Sequence, residues 1–383
     1  MKFTSLYYIA ALAPVFSQGC LLPEEREGKP RVVRRQTSNG IPIGTGDRYS
    51  AGTIAPRGVG SQTTTFTTLL NVNEISSGLK ALASVYGITT FNTPNTTYNG
   101  ASITGAKVGG NGTSLSTGIV FIPLSNPDGV AYDQSTNSCW RKNRNPASGT
   151  GTSAGVDLNR NFDFVWDLTK WASSVRSQVA SSSPSSEVFH GTAAFSEPET
   201  KSIKWVMDTY SKVRWFVDLH SYTGDVLYSW GSDTNQASYP TMNFLNTAYN
   251  SVRGIVSDTP GSGSGYGEYT PTTENTANKA AATKIGAGMS AAAGRTYSVI
   301  PAAALYPTSG ASDDYSYSRH FADTTKNLIH GYTIEFGFGN SASSCPFYPT
   351  QAQHNYNLQE IGAGYMELLL AAVSLGLGDA TTC

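Results

Sequence analysis

Apolar positions along this chain recur with two periods, and the switches between them mark its elements. NEISSGLKALASVY, Asn73 to Tyr86, places Ile75, Leu79 and Leu82 at helical spacing. TYNGASITGAKVGG then reads as two short strands around Asn99-Gly100. Thr117 to Leu124, TGIVFIPL, is a continuous apolar run and predicts a strand buried on both faces. A helix follows from Ser196 to Tyr210, with Ser196 and Glu199 forming an S-x-x-E capping box, Pro198 in the first turn, and Ile203, Val206, Met207 and Tyr210 on one face. WFVDL, Trp215 to Leu219, predicts a second buried strand. Thr241 to Val256 and Lys279 to Ala293 read as helices, Tyr332 to Phe338 as a strand, and Asn357 to Leu375 as the last helix. The Gly/Ser/Thr-rich stretch from Asp258 to Thr276 reads as a long surface loop lining a site. There are no internal repeats, and this dense succession of strands and helices predicts an α/β fold.

Composition narrows the setting. The 383 residues carry a formal net charge of −1 with 14% charged side chains and no basic block, which argues against nucleic acid or an anionic membrane as partner. MKFTSLYYIAALAPVFSQG has one Lys, an apolar stretch and then small or polar residues, so residues 1–18 read as a secretory signal peptide. No later segment reads as a transmembrane helix. Residues 19–59 are polar and charged with a dibasic pair at Arg34 and Arg35, fitting a short pro-segment or a charged linker. Residues 60–376 form the main domain and 377–383 a tail. Sequons at Asn95 and Asn111 agree with secretion and glycosylation. Of the four cysteines, Cys20, Cys139, Cys345 and Cys383, the expected bridge is Cys345 to Cys383.

Several polar residues sit where burial is costly. In FVDLH, Asp218 and His220 lie at the end of an apolar strand, and in YTIEFGFGN so does Glu335. A carboxylate or imidazole there is paired, metal-bound or poised for proton transfer, or else is a satisfied core residue. Open α/β sheets bind ligands at the carboxyl ends of their strands, which favours a site. In GVDLNRNFDF, Arg160 lies between Asn159 and Asn161. A guanidinium flanked by amides suits a carboxylate ligand, whereas pairing with Asp157 or Asp163 would make it structural. In WRKNR, Arg141 could stabilise an oxyanion or belong to a solvated basic turn.

Taken together and in order, NPDG at Asn126, WRK at Trp140, GVDLNRNF at Gly155, FSEPET at Phe195, DLHSYTG at Asp218, LYPTSGASDDY at Leu305 and YTIEF at Tyr332 resemble the zinc metallocarboxypeptidases of the carboxypeptidase A family, particularly secreted fungal members. The resemblance runs from about Gly60 to Leu375. It implies a mixed, largely parallel central sheet flanked by helices, one Zn2+ per chain, and a secreted, monomeric zymogen that hydrolyses the C-terminal bond of peptides and proteins. It further implies His220 as a zinc ligand, Glu335 as general base and Arg141 as the oxyanion-stabilising arginine. Asn159 and Arg160 would clamp the terminal carboxylate, Tyr306 would close over the substrate, Tyr222 would contact it, and Asp313 would lie in the pocket for the last side chain, favouring Lys or Arg there.

One departure is large. A catalytic zinc takes three protein ligands and an open position. The family draws two from an H-x-x-E motif ahead of the NPDG strand, but the first histidine of this chain is His190, and none of His190, His320, His330 or His354 has that spacing or place. KVGGNGTS, Lys107 to Ser114, runs straight into LSTGIVFIPL, where the family inserts a strand, the H-x-x-E loop and helices leading back. Parallel neighbours need a crossover of roughly a dozen residues or more, so this junction permits only a tight hairpin. Asp157 resembles the aspartate that orients the missing histidine. A lost exon, an inactive isoform that still binds peptide C-termini, or zinc completed by unrelated residues such as His190 would each account for the gap.

Overall fold

The computed structural model describes residues 40–57, 66–109 and 118–376. The proposed signal peptide, Cys20, the Arg34-Arg35 pair, the Asn111 sequon, the Ser114-Leu115 junction, Cys383 and the tail at 377–383 lie outside the described residues.

Helix α1 (Val72–Tyr86) begins at a capping box between Asn71 and Glu74 and stops at Gly87, whose φ of 63° is left-handed. It leads into an antiparallel sheet of β1 (Thr89–Thr96), β2 (Ser102–Gly109) and β3 (Gly118–Phe121), with Gly109 opposite Gly118. β3 is shorter than its apolar run and only partly buried, because among the described strands it pairs on one side alone. Helix α2 (Pro127–Thr136) is capped by Asn126. The chain then runs through turns to α3 (Pro198–Thr209). Here Glu197, not Ser196, is the N-cap residue, and no side-chain cap bond forms; Ser196 Oγ donates instead to Glu197 Oε1 at 2.7 Å.

A second sheet has the order β4-β9-β5-β8: β4 (Trp215–His220), β5 (Asp225–Tyr228), β8 (Ser298–Pro301) and β9 (His330–Glu335). β4 is parallel to β9 and β5 to β8, while β5 and β9 are antiparallel, so the sheet is mixed. The described strands thus form separate sheets rather than one. The pair β6 (Asn235–Gln236) and β7 (Glu268–Tyr269) lies apart, and β7 with buried Tyr266 and Glu268 replaces part of the expected surface loop.

Each face of the four-stranded sheet has its own core. On one, Leu219, Val226, Tyr228 and Ile334 meet Ala281, Ile285 and Met289 of α4 (Thr272–Ala293) and Ile361 and Leu368 of α6 (Gln351–Leu375). On the other, Phe162, Phe164, Trp171 and Trp230 join Tyr315 and Tyr317 of α5 (Ser312–Ala322). Such layering is the usual way for a sheet to cover both apolar faces. Among the described helices α6 has the length and composition to cross a bilayer, contrary to the sequence expectation, yet it packs along α4 with Glu360 and Ile361 buried.

The helix expected over Thr241 to Val256 does not form. Asn243 and Asn246 side chains accept from the backbone N–H of Leu245 and Ala248, and buried Arg253 donates to the carbonyls of Asn243 and Asn246. Those bonds stabilise turns in competition with a helix. The disulfide joins Cys139 to Cys345, with Cα atoms 5.7 Å apart, so Cys345 is not paired with Cys383. Of residues 40–57, Ile41 and Tyr49 are buried, and Arg48 pairs with Glu74 at 2.7 Å.

Candidate functional site

The site forms where β4 and β9 end together. Their parallel register sets His220 beside Glu335 as the last pair, with Nδ1 and Oε1 3.9 Å apart and both side chains buried. On its other side, His220 Nε2 lies 3.1 Å from Asp218 Oδ2. Burial works against a charged imidazole, but the Asp218 carboxylate, with Glu335 and Asp313 behind it, outweighs this and raises the His220 pKa. Burial likewise works against the Asp218 anion, which His220 and the 2.6 Å bond from Ser312 Oγ nonetheless hold below its ordinary value.

The one-turn 3-10 helix Leu158–Arg160 supplies the opposite wall. Asp157 caps it, Oδ1 accepting from Asn159 N–H at 3.1 Å. Asn159 Oδ1 accepts from Ser312 N–H at 2.8 Å, tying the turn to the start of α5. Gly310 makes this approach possible, because its φ is +67° and a Cβ there would come within 2.4 Å of the Arg160 carbonyl oxygen. The turn is also fixed from behind. Asn143 Oδ1 accepts from Val156 N–H at 2.8 Å, while its Nδ2 donates to Glu197 at 2.7 Å and Glu199 at 3.0 Å.

Burial pushes the Glu199 carboxyl up to about 7, against the Asn143 bond and with help from Glu197. The folded chain therefore binds more protons here than the unfolded chain, and stability falls as pH rises from 4.5 to about 7. Replacing Glu199 by Gln removes that penalty. Relative to the wild type, the variant should gain roughly 1–3 kcal/mol between pH 5 and pH 8. Urea unfolding at the two pH values checks this, and an unchanged difference would contradict it.

Between the two walls lies a small cleft, and its lining includes Asn159, Arg160, Tyr306, Asp313, Thr333 and Glu335. Five of the sequence-predicted site residues thus meet in one cavity. Arg160 is 2% exposed; its Nη1 donates to the Asn159 carbonyl at 2.8 Å, while Nε and Nη2 are buried with no hydrogen-bond partner among the described residues. Burial raises the Asp313 pKa, as does repulsion from Asp218. Burial raises that of neighbouring Asp314 further, with Asp313 adding to it, although both Asp314 oxygens accept from Gly231 N–H at 2.9 Å. The other predicted residues stand apart from the lining. Arg141 Nη2 is bound to Asp157 Oδ2 at 2.8 Å, and Tyr222 packs edge-on against Phe347 with ring centroids 5.0 Å apart. Sequence reading did not single out Ser312 or Thr333; Ser312 bonds to both walls, but a serine in TSGASDD carries no signal of that role.

The residues present do not fit a three-ligand zinc centre. His220 is engaged by the Asp218 carboxylate at Nε2 and faces Glu335 at Nδ1, and there is no group of three His, Cys, Asp or Glu placed to hold a metal among the described residues. His190 stacks on Trp166, His330 on Trp215, and His354 meets Phe66 edge-on, while His320 Nδ1 lies 2.8 Å from the Lys326 carbonyl.

Residues 114–360 match the profile of the zinc carboxypeptidase family. Rat carboxypeptidase A2 is 40% identical over 113 residues, covering 30% of this chain and 25% of that protein. Bovine carboxypeptidase B is 30% identical over 200 residues, or 52% of this chain and 37% of that one. An inactive metallocarboxypeptidase, ECM14 of Arthroderma otae, is 38% identical over 117 residues, or 29% and 18% of the two chains. The chain thus spans about a quarter of the length of the first of these relatives. Among solved structures, carboxypeptidase A from Helicoverpa armigera superposes with a TM-score of 0.59 at 18% identity, over 82% of this chain and 77% of that chain. Bovine thrombin-activatable fibrinolysis inhibitor, in complex with tick carboxypeptidase inhibitor, gives 0.56 at 17% identity over 79% and 97%. At these identities the superpositions establish the mixed α/β fold.

Proposed function

Because the chain belongs to the zinc carboxypeptidase family, we propose that it is a secreted metallocarboxypeptidase-type exopeptidase in which peptide recognition is retained and hydrolysis is lost. The observation that carries this reading is Arg160: a buried cation that lines a cleft with Asn159 and Tyr306 and whose Nε and Nη2 have no hydrogen-bond partner among the described residues. A buried guanidinium with spare donors calls for an anion, and a carboxylate fills its fork with two parallel bonds. The α-carboxylate at a peptide's C-terminus is that anion. Asp313 lines the same cleft and suits a basic last side chain when ionised.

A zinc held by three protein ligands would supply the hydrolytic nucleophile by activating water. His220 alone cannot hold the metal against solvent, since two further ligands are absent from the sequence. Glu335, buried beside His220, keeps the place of a general base with no metal to serve. The signal peptide, the pro-segment or linker, zymogen processing and glycosylation belong to the same reading, with Asn95 half-buried on β1 as an acceptor. The experiment is to equilibrate the purified chain with zinc, remove the excess, and measure bound metal and release of C-terminal residues from peptides. Less than about a tenth of a zinc per chain and no release are expected; one tightly held zinc with release would overturn the proposed loss of activity.

A further inference from the structure

Asp157 has lost the histidine that the family resemblance assigns to it, but it is not idle. Its side chain is buried; one oxygen caps the turn and the other faces both arginines of the site. Oδ1 caps the turn that carries Asn159 and Arg160. Oδ2 lies 2.8 Å from Arg141 Nη2 and 3.8 Å from Arg160 Nη1. One carboxylate therefore faces two guanidinium groups and shares itself unequally between them. Among the described residues the cleft lining includes Arg160 but not Arg141.

We propose that Asp157 is a positioning residue that holds Arg141 back from the cleft, so that Arg160 alone is offered to a ligand carboxylate. The inference rests on the reading of the cleft as a C-terminal carboxylate site. Its physical basis is competition. An incoming carboxylate and Asp157 seek the same guanidinium, and Asp157 is covalently in place and buried against it. Without the Asp157 charge, Arg141 loses its 2.8 Å ion pair and can turn toward the ligand beside Arg160, where two cations at low dielectric attract an anion more strongly than one. In an active relative the same arginine would serve a developing oxyanion; here the geometry stows it.

The test uses the full chain, a peptide ending in a free carboxylate, and the same peptide ending in an amide. Asp157→Asn keeps an oxygen for the cap and removes the charge. Affinity for the free acid should rise about tenfold, with the amide unchanged. In the double variant Asp157→Asn with Arg141→Gln the rise should shrink to about twofold, a coupling that a purely structural role would not give. Unchanged or weaker binding by Asp157→Asn would overturn the proposal, as would a full rise that persists without Arg141. If Asp157→Asn does not fold, a crystal structure of the wild type with the free-acid peptide decides. Arg141 still on Asp157 supports the proposal, and the peptide carboxylate on Arg141 refutes it. A wild type that binds acid and amide alike would sink the underlying reading instead.

Discussion

Arg160→Met should abolish the preference for a free C-terminus. The change keeps most of the side-chain volume and removes the buried charge. Truncating one member of a buried, hydrogen-bonded charge pair costs about 2–5 kcal/mol, so affinity for a free-acid peptide should fall by roughly two orders of magnitude. The matching amide should bind as before, because it never used the guanidinium's charge. Folding should survive, since Asp157 keeps its 2.8 Å partner Arg141 and its cap on the turn, while the Asn159 link to Ser312 is untouched. Calorimetric titration of both peptides checks the result. Parallel losses for acid and amide would point to a collapsed cleft rather than a lost carboxylate contact.

The second large effect is a gain. Inserting, between Ser114 and Leu115, an in-frame segment that bears an H-x-x-E motif should give one bound zinc per chain and release of C-terminal residues. Two requirements explain why nothing smaller suffices. A catalytic zinc needs three protein ligands, and the chain supplies His220. Those ligands must also arrive on a strand and crossover of adequate length. β2 and β3 are antiparallel neighbours, and among the described strands β3 and β4 each pair on one side only, so an added strand has edges to join. In the restored chain Glu335→Gln should lower the release rate by about 10²–10⁴. Zinc binding without release, or release indifferent to Glu335, would contradict the role assigned to that residue.

How far the sequence disclosed this structure depended on how local the information was. α1 was legible because its apolar stripe of Ile75, Leu79 and Leu82 is local, although its capping box at Asn71 and Glu74 was not read. His220 and Glu335 were legible as a pair because each interrupts an apolar strand near its carboxyl end, where a buried polar group needs a reason. What failed was decided by partners far along the chain. The segment Thr241 to Val256 has helical spacing, but buried Arg253 and the asparagine side chains give its backbone other partners. Thr117 to Leu124 reads as a strand buried on both faces, yet β3 is only partly covered. Cys139 and Cys345 are 206 residues apart, and no local pattern joins them. The sequence also leaves open which arginine Asp157 serves. Arg160 is the nearer in sequence, but Arg141 makes the shorter contact.

Peptide recognition rests on Arg160 and the loss of metal on the ligands missing around His220, so recognition can be measured on its own. Titrating the wild-type chain, as encoded and without added metal, with one peptide as free acid and as C-terminal amide tests it directly. The free acid should bind at least about tenfold more tightly, the difference of roughly 1.4 kcal/mol expected at minimum for a charge-assisted fork in a buried site. Equal affinities would mean that Arg160 does not receive a carboxylate from solution, and that the cleft is a relic in its binding as well as its chemistry.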